Sequence, residues 1–238
     1  MKKFLCLLVA AALIISFSAC SETPEYENNS SASEEIFDPK EYGYSETDAE
    51  NIVKWNLDII YKGSVSEEGA ESFGATQDDI KVFHENEILP EAESLLILLG
   101  GEKYREDFFE RCFFAMNEIY SKAEYSIGKA VKTTETSFEV PVEVTPYLWM
   151  EYVESVFSER LEKLFEEYPE MNSETISDED FEKYEKLLSQ MILEIFEEIP
   201  KKASYGDPVT VIVEVVQLED GTWETTEESF TELTEILI

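Results

Sequence analysis

Few side chains in this sequence have the types that chemistry needs, and their scarcity narrows what they can do. His84 is the only histidine, so a histidine-rich metal site is excluded. The cysteines are Cys6, Cys20 and Cys112. Cys112 lies among Phe108, Phe109, Phe113 and Met116 on the apolar side of a helical pattern, the setting of a buried structural thiol rather than a nucleophile. Asp and Glu number 54, which is compatible with a glycosidase-type acid/base pair, but no two of them stand apart from the rest. There is no Gly-x-Ser-x-Gly elbow, Walker loop, dinucleotide fingerprint, His-Glu-x-x-His helix or calcium loop. No metal, no cofactor and no catalytic residue is therefore expected, and the chain reads as a non-enzyme.

Three polar residues break the pattern of the helices that carry them. Projected at about 100° per residue, Asn56 falls inside the apolar arc of Ile52, Val53, Leu57 and Ile60. His84 falls between Ile80 and Ile88, and Arg160 falls between Val153, Val156 and Leu164. A buried polar group needs a partner, and a buried charge needs one more strongly. One reading is internal satisfaction, with Arg160 paired to a local acid, Asn56 bonded to backbone and His84 a core histidine. The other is a pocket lined by these residues, with Arg160 anchoring an anion or carboxylate. Trp55 projects to the rim of its helix's apolar arc, and Trp149 and Trp223 sit near strand ends, where rings can stack on sugars or peptide side chains, though core packing is the commoner use.

The sharpest chemistry lies at the start of the chain. Met1-Lys2-Lys3 is a short positive run, Phe4 to Ile15 is uncharged and apolar, and Ser16-Phe17-Ser18-Ala19-Cys20 follows. This is a secretory signal, too short to span a bilayer, which takes about 20 apolar residues. Cys20, directly after Ser-Ala, resembles the lipobox cysteine of bacterial lipoproteins, with Phe17 where Leu is usual. The resemblance implies a diacylglycerol thioether on Cys20, the membrane as partner through that lipid, and a lipid-anchored position on the extracytoplasmic face of the cell membrane. Ser21 to Tyr44 is rich in Ser, Glu and Asn and poor in aliphatic residues. It reads as a disordered acidic tether with an r.m.s. reach of about 25–30 Å.

Without residues 1–20 the chain keeps 16 Lys and Arg against 54 Asp and Glu, a net −38. That excludes nucleic acid, whose recognition rests on cationic contacts to phosphate, and adsorption to anionic lipid. With Cys112 alone in the mature domain, no internal disulfide can form and the core must hold the fold unaided.

Residues 45–238 are enough for one domain, or for two closely packed lobes at 45–146 and 147–238. Thr47 to Glu50 reads as a capping box for a helix to Tyr61. Gly63 to Ala75 reads as a loop, and Thr76 caps a helix toward Leu99, bent at Pro90. A third helix covers Lys103 to Lys122. Phe138, Val140, Val142 and Val144 then alternate with polar residues as a strand, Pro141 suggesting an edge position, with Tyr125 to Lys132 as hairpin partner. Two helices follow, Tyr147 to Tyr168 and one capped by Ser177 that stops at Pro200. Val209 to Leu218 is a strand inside the sheet, Asp220-Gly221 a hairpin turn, and Ser229 the cap of a closing helix. The order ααα-ββ-αα-ββ-α means an α+β fold of helices packed on antiparallel hairpins.

The lipobox, the acidic tether, Leu57-Asp58-Ile59-Ile60-Tyr61-Lys62-Gly63, the valine strand ending at Pro146 and Leu218-Glu-Asp-Gly-Thr-Trp223 together resemble a group of uncharacterised, mainly Gram-positive bacterial lipoproteins. The resemblance implies a cystatin-like or NTF2-like cone, a curved sheet wrapped on helices, and carries no functional residues with it. The expected role is a surface-tethered, non-enzymatic module that binds a small ligand or an envelope protein. The alternatives are a structural or accessory envelope lipoprotein without a small ligand, and a carboxylate-based hydrolase of envelope polymers.

Overall fold

The computed structural model describes residues 44–172 and 176–237. The signal sequence, Cys20 and the tether up to residue 43 lie outside the described residues. The elements are α1 (Glu46–Lys62), α2 (Glu67–Ser72), α3 (Gln77–Leu98), α4 (Arg105–Tyr120), β1 (Glu124–Ile127), β2 (Val131–Thr134), β3 (Ser137–Thr145), α5 (Trp149–Glu167), α6 (Asp178–Lys202), β4 (Val209–Gln217), β5 (Trp223–Thr225) and α7 (Glu227–Leu237). This is the expected α+β arrangement, with α2 added in the presumed loop and the outer strand of the first hairpin divided into β1 and β2.

The helix starts follow local chemistry. Thr76 and Asp79 form a reciprocal capping box at α3, and the Ser177 hydroxyl accepts from Asp180 N at α6. At α1 the box is Ser45 with Asp48, two residues upstream of the expected Thr47. At α7 the helix opens after Thr226, whose carbonyl accepts from Phe230 N (3.1 Å). Ser229 does not cap it; its hydroxyl accepts from Glu214 N in β4 (3.0 Å). Nor does α6 stop at Pro200. Ala203 N still bonds the Ile199 carbonyl (3.0 Å), so one missing donor in the last turn does not end the helix.

The sheet is antiparallel in the order β1-β3-β4-β5, with β2 following β1 along the same side of β3. β3 is therefore an interior strand, and the edge position expected from Pro141 is not observed. A bulge reconciles the proline with that place. Ile127 pairs with Val142 and Val131 with Glu139, so the outer strand carries one residue more than β3 across this step. Gly128 N donates to the Pro141 carbonyl (2.7 Å), and the missing Pro141 N–H faces the same side, where the bulge demands no donor. Gly128 has to be glycine here, because a Cβ would come within 2.9 Å of the Pro141 carbonyl oxygen.

Two principal apolar clusters result. On the inner face of the sheet, Phe138, Val140, Val142 and Val144 from β3 and Val211, Val213 and Val215 from β4 pack under α1 and α7. The other cluster is helical, built from α3, α4 and α6 with α5 laid against them. The chain passes between the clusters repeatedly: α1 belongs to the sheet, α3 and α4 to the helical cluster, β1–β3 to the sheet, α5 and α6 to the helices, and β4–α7 to the sheet. The clusters thus do not divide the chain at residue 146. Tyr44 stacks on Trp223 (centroids 4.3 Å apart, planes within 4°) and tilts against Phe138 (5.9 Å), so the last residue of the expected tether is packed on the domain.

Candidate interaction surface

The three pattern-breaking residues do not share a pocket among the described residues. His84 is buried between α1 and α4: Nδ1 donates to the Ile60 carbonyl (2.7 Å) and Nε2 meets the Asn117 amide (2.9 Å). Its ring packs against Gly63, where a Cβ would come within 2.7 Å of Cδ2, so the left-handed glycine that ends α1 also makes room for the histidine. Arg160 braces α5 to α6. Its Nη2 donates to Glu198 Oε2 (2.6 Å), which also accepts from the Tyr152 hydroxyl (2.7 Å). These two donors hold the Glu198 carboxyl below its ordinary value. Asn56 is half-buried on α1, with no side-chain hydrogen bond among the described residues. Cys112 is fully buried, and burial pushes its thiol up to about 12, far from the thiolate that nucleophilic chemistry needs. Among the described residues no three His, Cys, Asp or Glu side chains converge as metal ligands would.

A partly buried polar cluster surrounds Asp58, which sequence reasoning passed over as one acid among many. Its side chain is only 7% exposed, on the side of α1 that faces β1. Lys54 and Lys62 donate to it from one turn either side, the latter at 2.7 Å, and the Tyr125 hydroxyl adds a third bond (2.7 Å). Burial alone would raise the Asp58 carboxyl, but these three donors outweigh it and hold the carboxyl below its ordinary value. Lys62 also lies over the Tyr125 ring (4.3 Å). The i, i+4 spacing of Lys54, Asp58 and Lys62 was the available signal. All its groups are partnered within the cluster, so it ties the end of α1 to the sheet.

Among the described residues the surface carries open depressions. One of about 420 Å³ lies beside Lys62, Tyr125, Glu124 and Glu143, and one of about 460 Å³ lies beside Tyr104, Tyr168, Lys183 and Leu187. Both are shallow, unlike the enclosed, mainly apolar cavities that bury small ligands. Asn56, His84 and Arg160 line neither.

The outer face of the sheet is different in kind. Side chains that alternate with the inner valines point away from α1 and α7, and the pairing register fixes their neighbours. Pro141 stands opposite Ile212, Glu139 opposite Glu214, and Glu143 opposite Thr210; Val131 flanks Glu139. Ile212 is 47% exposed and Val131 59%. The result is an apolar pair with two carboxylates on one side, a third on the other, and Glu224 on β5 at the margin. Glu139, Glu143, Glu214 and Glu224 form no ion pair among the described residues, and the outward positions of β3 and β4 hold no Lys or Arg.

No protein-family model matches the chain, and no curated protein matches it. Among solved structures it is similar to one described as a "putative lipoprotein (ycdA)" from Bacillus subtilis, at 18% identity and a TM-score of 0.49. The likeness covers 81% of this chain and 58% of that one, so the chain spans less than two thirds of that protein's length.

Proposed function

We propose that this chain is a lipid-anchored protein on the extracytoplasmic face of a bacterial membrane, and that its folded part is a non-enzymatic module that docks a protein. The anchoring rests on the secretory leader ending in Ser18-Ala19-Cys20 and on the polar tether behind it. The observation that carries the docking role is the outer sheet face. It leaves Ile212 and Val131 exposed and Pro141 half-buried while the inner face of the same strands is closed by helices. The open, shallow depressions favour a protein surface over capture of a small molecule.

Two experiments test this. Cys20→Ser should move the protein from the membrane fraction to the soluble fraction; retention of the variant at the membrane would remove the lipid from the reading. A photo-crosslinking side chain at position 212 should give discrete adducts in intact cells, while one at position 163, on exposed α5, should not. Equal labelling from both positions would count against docking through the sheet.

A further inference from the structure

We propose that the outer sheet face receives a cationic, amphipathic protein segment, its apolar side chains seated on Pro141 and Ile212 and its Lys or Arg side chains on Glu139, Glu143 and Glu214. This rests on the docking role proposed above and specifies its partner. The first support is a local conflict. Glu139 and Glu214 are direct cross-strand neighbours, which places their Cβ atoms about 5 Å apart. Two like charges at that spacing oppose the pairing that holds the sheet together. Elsewhere in the same chain carboxylates do find cations: Asp58 has two lysines, Glu93 and Glu197 each have an arginine, and Glu198 has Arg160. Glu139 and Glu214 have no such partner among the described residues and stand side by side on an open sheet face, a local cost of the kind that function usually explains.

Charge also sorts the possible occupants. A second copy would present the same carboxylates and be repelled. The chain's own tether, residues 21–44, holds seven acids against Lys40 alone and is repelled likewise. An anionic lipid surface is excluded on the same ground. A basic segment is attracted, and exposed Ile212 beside half-buried Pro141 adds a demand that pure charge does not make: the segment must carry apolar side chains in reach of its cations. Successive outward residues on a strand lie about 6.7 Å apart, so an extended segment with a cation, an apolar side chain and a cation at every second residue presents all three on one face and matches Glu139, Pro141 and Glu143 along β3 with Ile212 beside them.

The test uses the full chain in phosphatidylcholine nanodiscs and a labelled Lys/Val peptide, a Lys-Ser-Val-Ser repeat that sets Lys and Val in turn on one face of an extended chain, with oligolysine and the same repeat with Glu for Lys (Glu/Val) as controls, at about 50 mM salt where screening is weak. Glu139→Gln with Glu214→Gln should weaken Lys/Val binding roughly five- to tenfold. It should also raise the melting temperature, which separates lost binding from lost folding. Ile212→Ser should weaken the Lys/Val peptide and leave oligolysine unchanged. Glu154→Gln with Glu162→Gln, on exposed α5, removes the same charge and should change neither. Equal weakening by the two pairs would overturn the proposal in favour of bulk acidity. Lys/Val binding no tighter than Glu/Val would overturn it too, and crosslinking from position 212 would then decide separately whether the face docks a neutral partner.

Discussion

The two faces of the sheet are cut from the same strands, residue by alternate residue, yet they obey opposite rules. Inward from β3 and β4 come Phe138, Val140, Val142, Val144, Val211, Val213 and Val215, all buried under α1 and α7. Outward come exposed Glu139, Glu143, Ile212 and Glu214 around half-buried Pro141, and the carboxylates form no ion pair among the described residues. The inner face is settled by packing: each fully buried aliphatic side chain is worth about 1.5–3 kcal/mol. The outer face gains nothing comparable, and at Glu139–Glu214 it works against the fold. The difference teaches where selection for stability stops on this domain and where another demand begins.

That comparison can be broken or sharpened in four ways. The largest effect is expected on the inner face, where Phe138→Ala removes a fully buried ring and should cost about 3–5 kcal/mol in urea unfolding. A cost near zero would mean the inner face is not the core. Asp58→Asn comes next, because it strips charge from a carboxylate that three donors address; a loss of about 1–3 kcal/mol at pH 7 is expected. The pH dependence has a defined sign. The folded carboxyl lies below the unfolded value of about 3.8, so its stabilisation is complete well above that value and disappears as pH falls through the folded one. Wild type and variant should therefore differ by a constant amount well above the unfolded value and converge progressively as pH falls below it toward the folded one; a gap that does not narrow in acid would refute the charge-based account. Gly128→Ala, at the bulge that seats Pro141 in the interior strand, should lower stability by about 1–2 kcal/mol through the clash with the Pro141 carbonyl. The smallest effect has the opposite sign. Glu139→Gln with Glu214→Gln should stabilise by about 0.2–1 kcal/mol, less at high salt, and a destabilised variant would show that the pair has a structural use.

Much of this was legible in the residues. Period-2 alternation placed β3 and period 3.6 placed the long helices, because each signal reports one buried face. The caps at Thr76 and Ser177 were legible for the same local reason, a hydroxyl three residues ahead of an acid. Pro141 misled because a proline reads as an edge until a bulge on the neighbouring strand removes the need for its N–H, and that bulge is a property of two strands at once. Pro200 misled because the cost of a proline depends on how much helix remains after it. The candidate site was the least legible part. Asn56, His84 and Arg160 were singled out as polar residues on apolar arcs, but His84 and Arg160 find their partners, Asn117 and Glu198, on other helices, which a single-helix projection cannot see. The opposition of Glu139 and Glu214 depends on a register between strands separated by two helices, so neither residue looks unusual alone.

The repeated passage of the chain between its two clusters sets a timetable for folding. β3 pairs along its length with β4, yet residues 146–208, with α5 and α6, lie between them. A chain emerging N-terminus first therefore has α1 to β3 in hand long before Val209 arrives to complete the sheet, and the helical cluster likewise waits for α6. Neither cluster can close on a contiguous stretch, so the sheet and the helical cluster should form together, with the valine strand β3 uncovered along its β4 side until Val209–Gln217 is free.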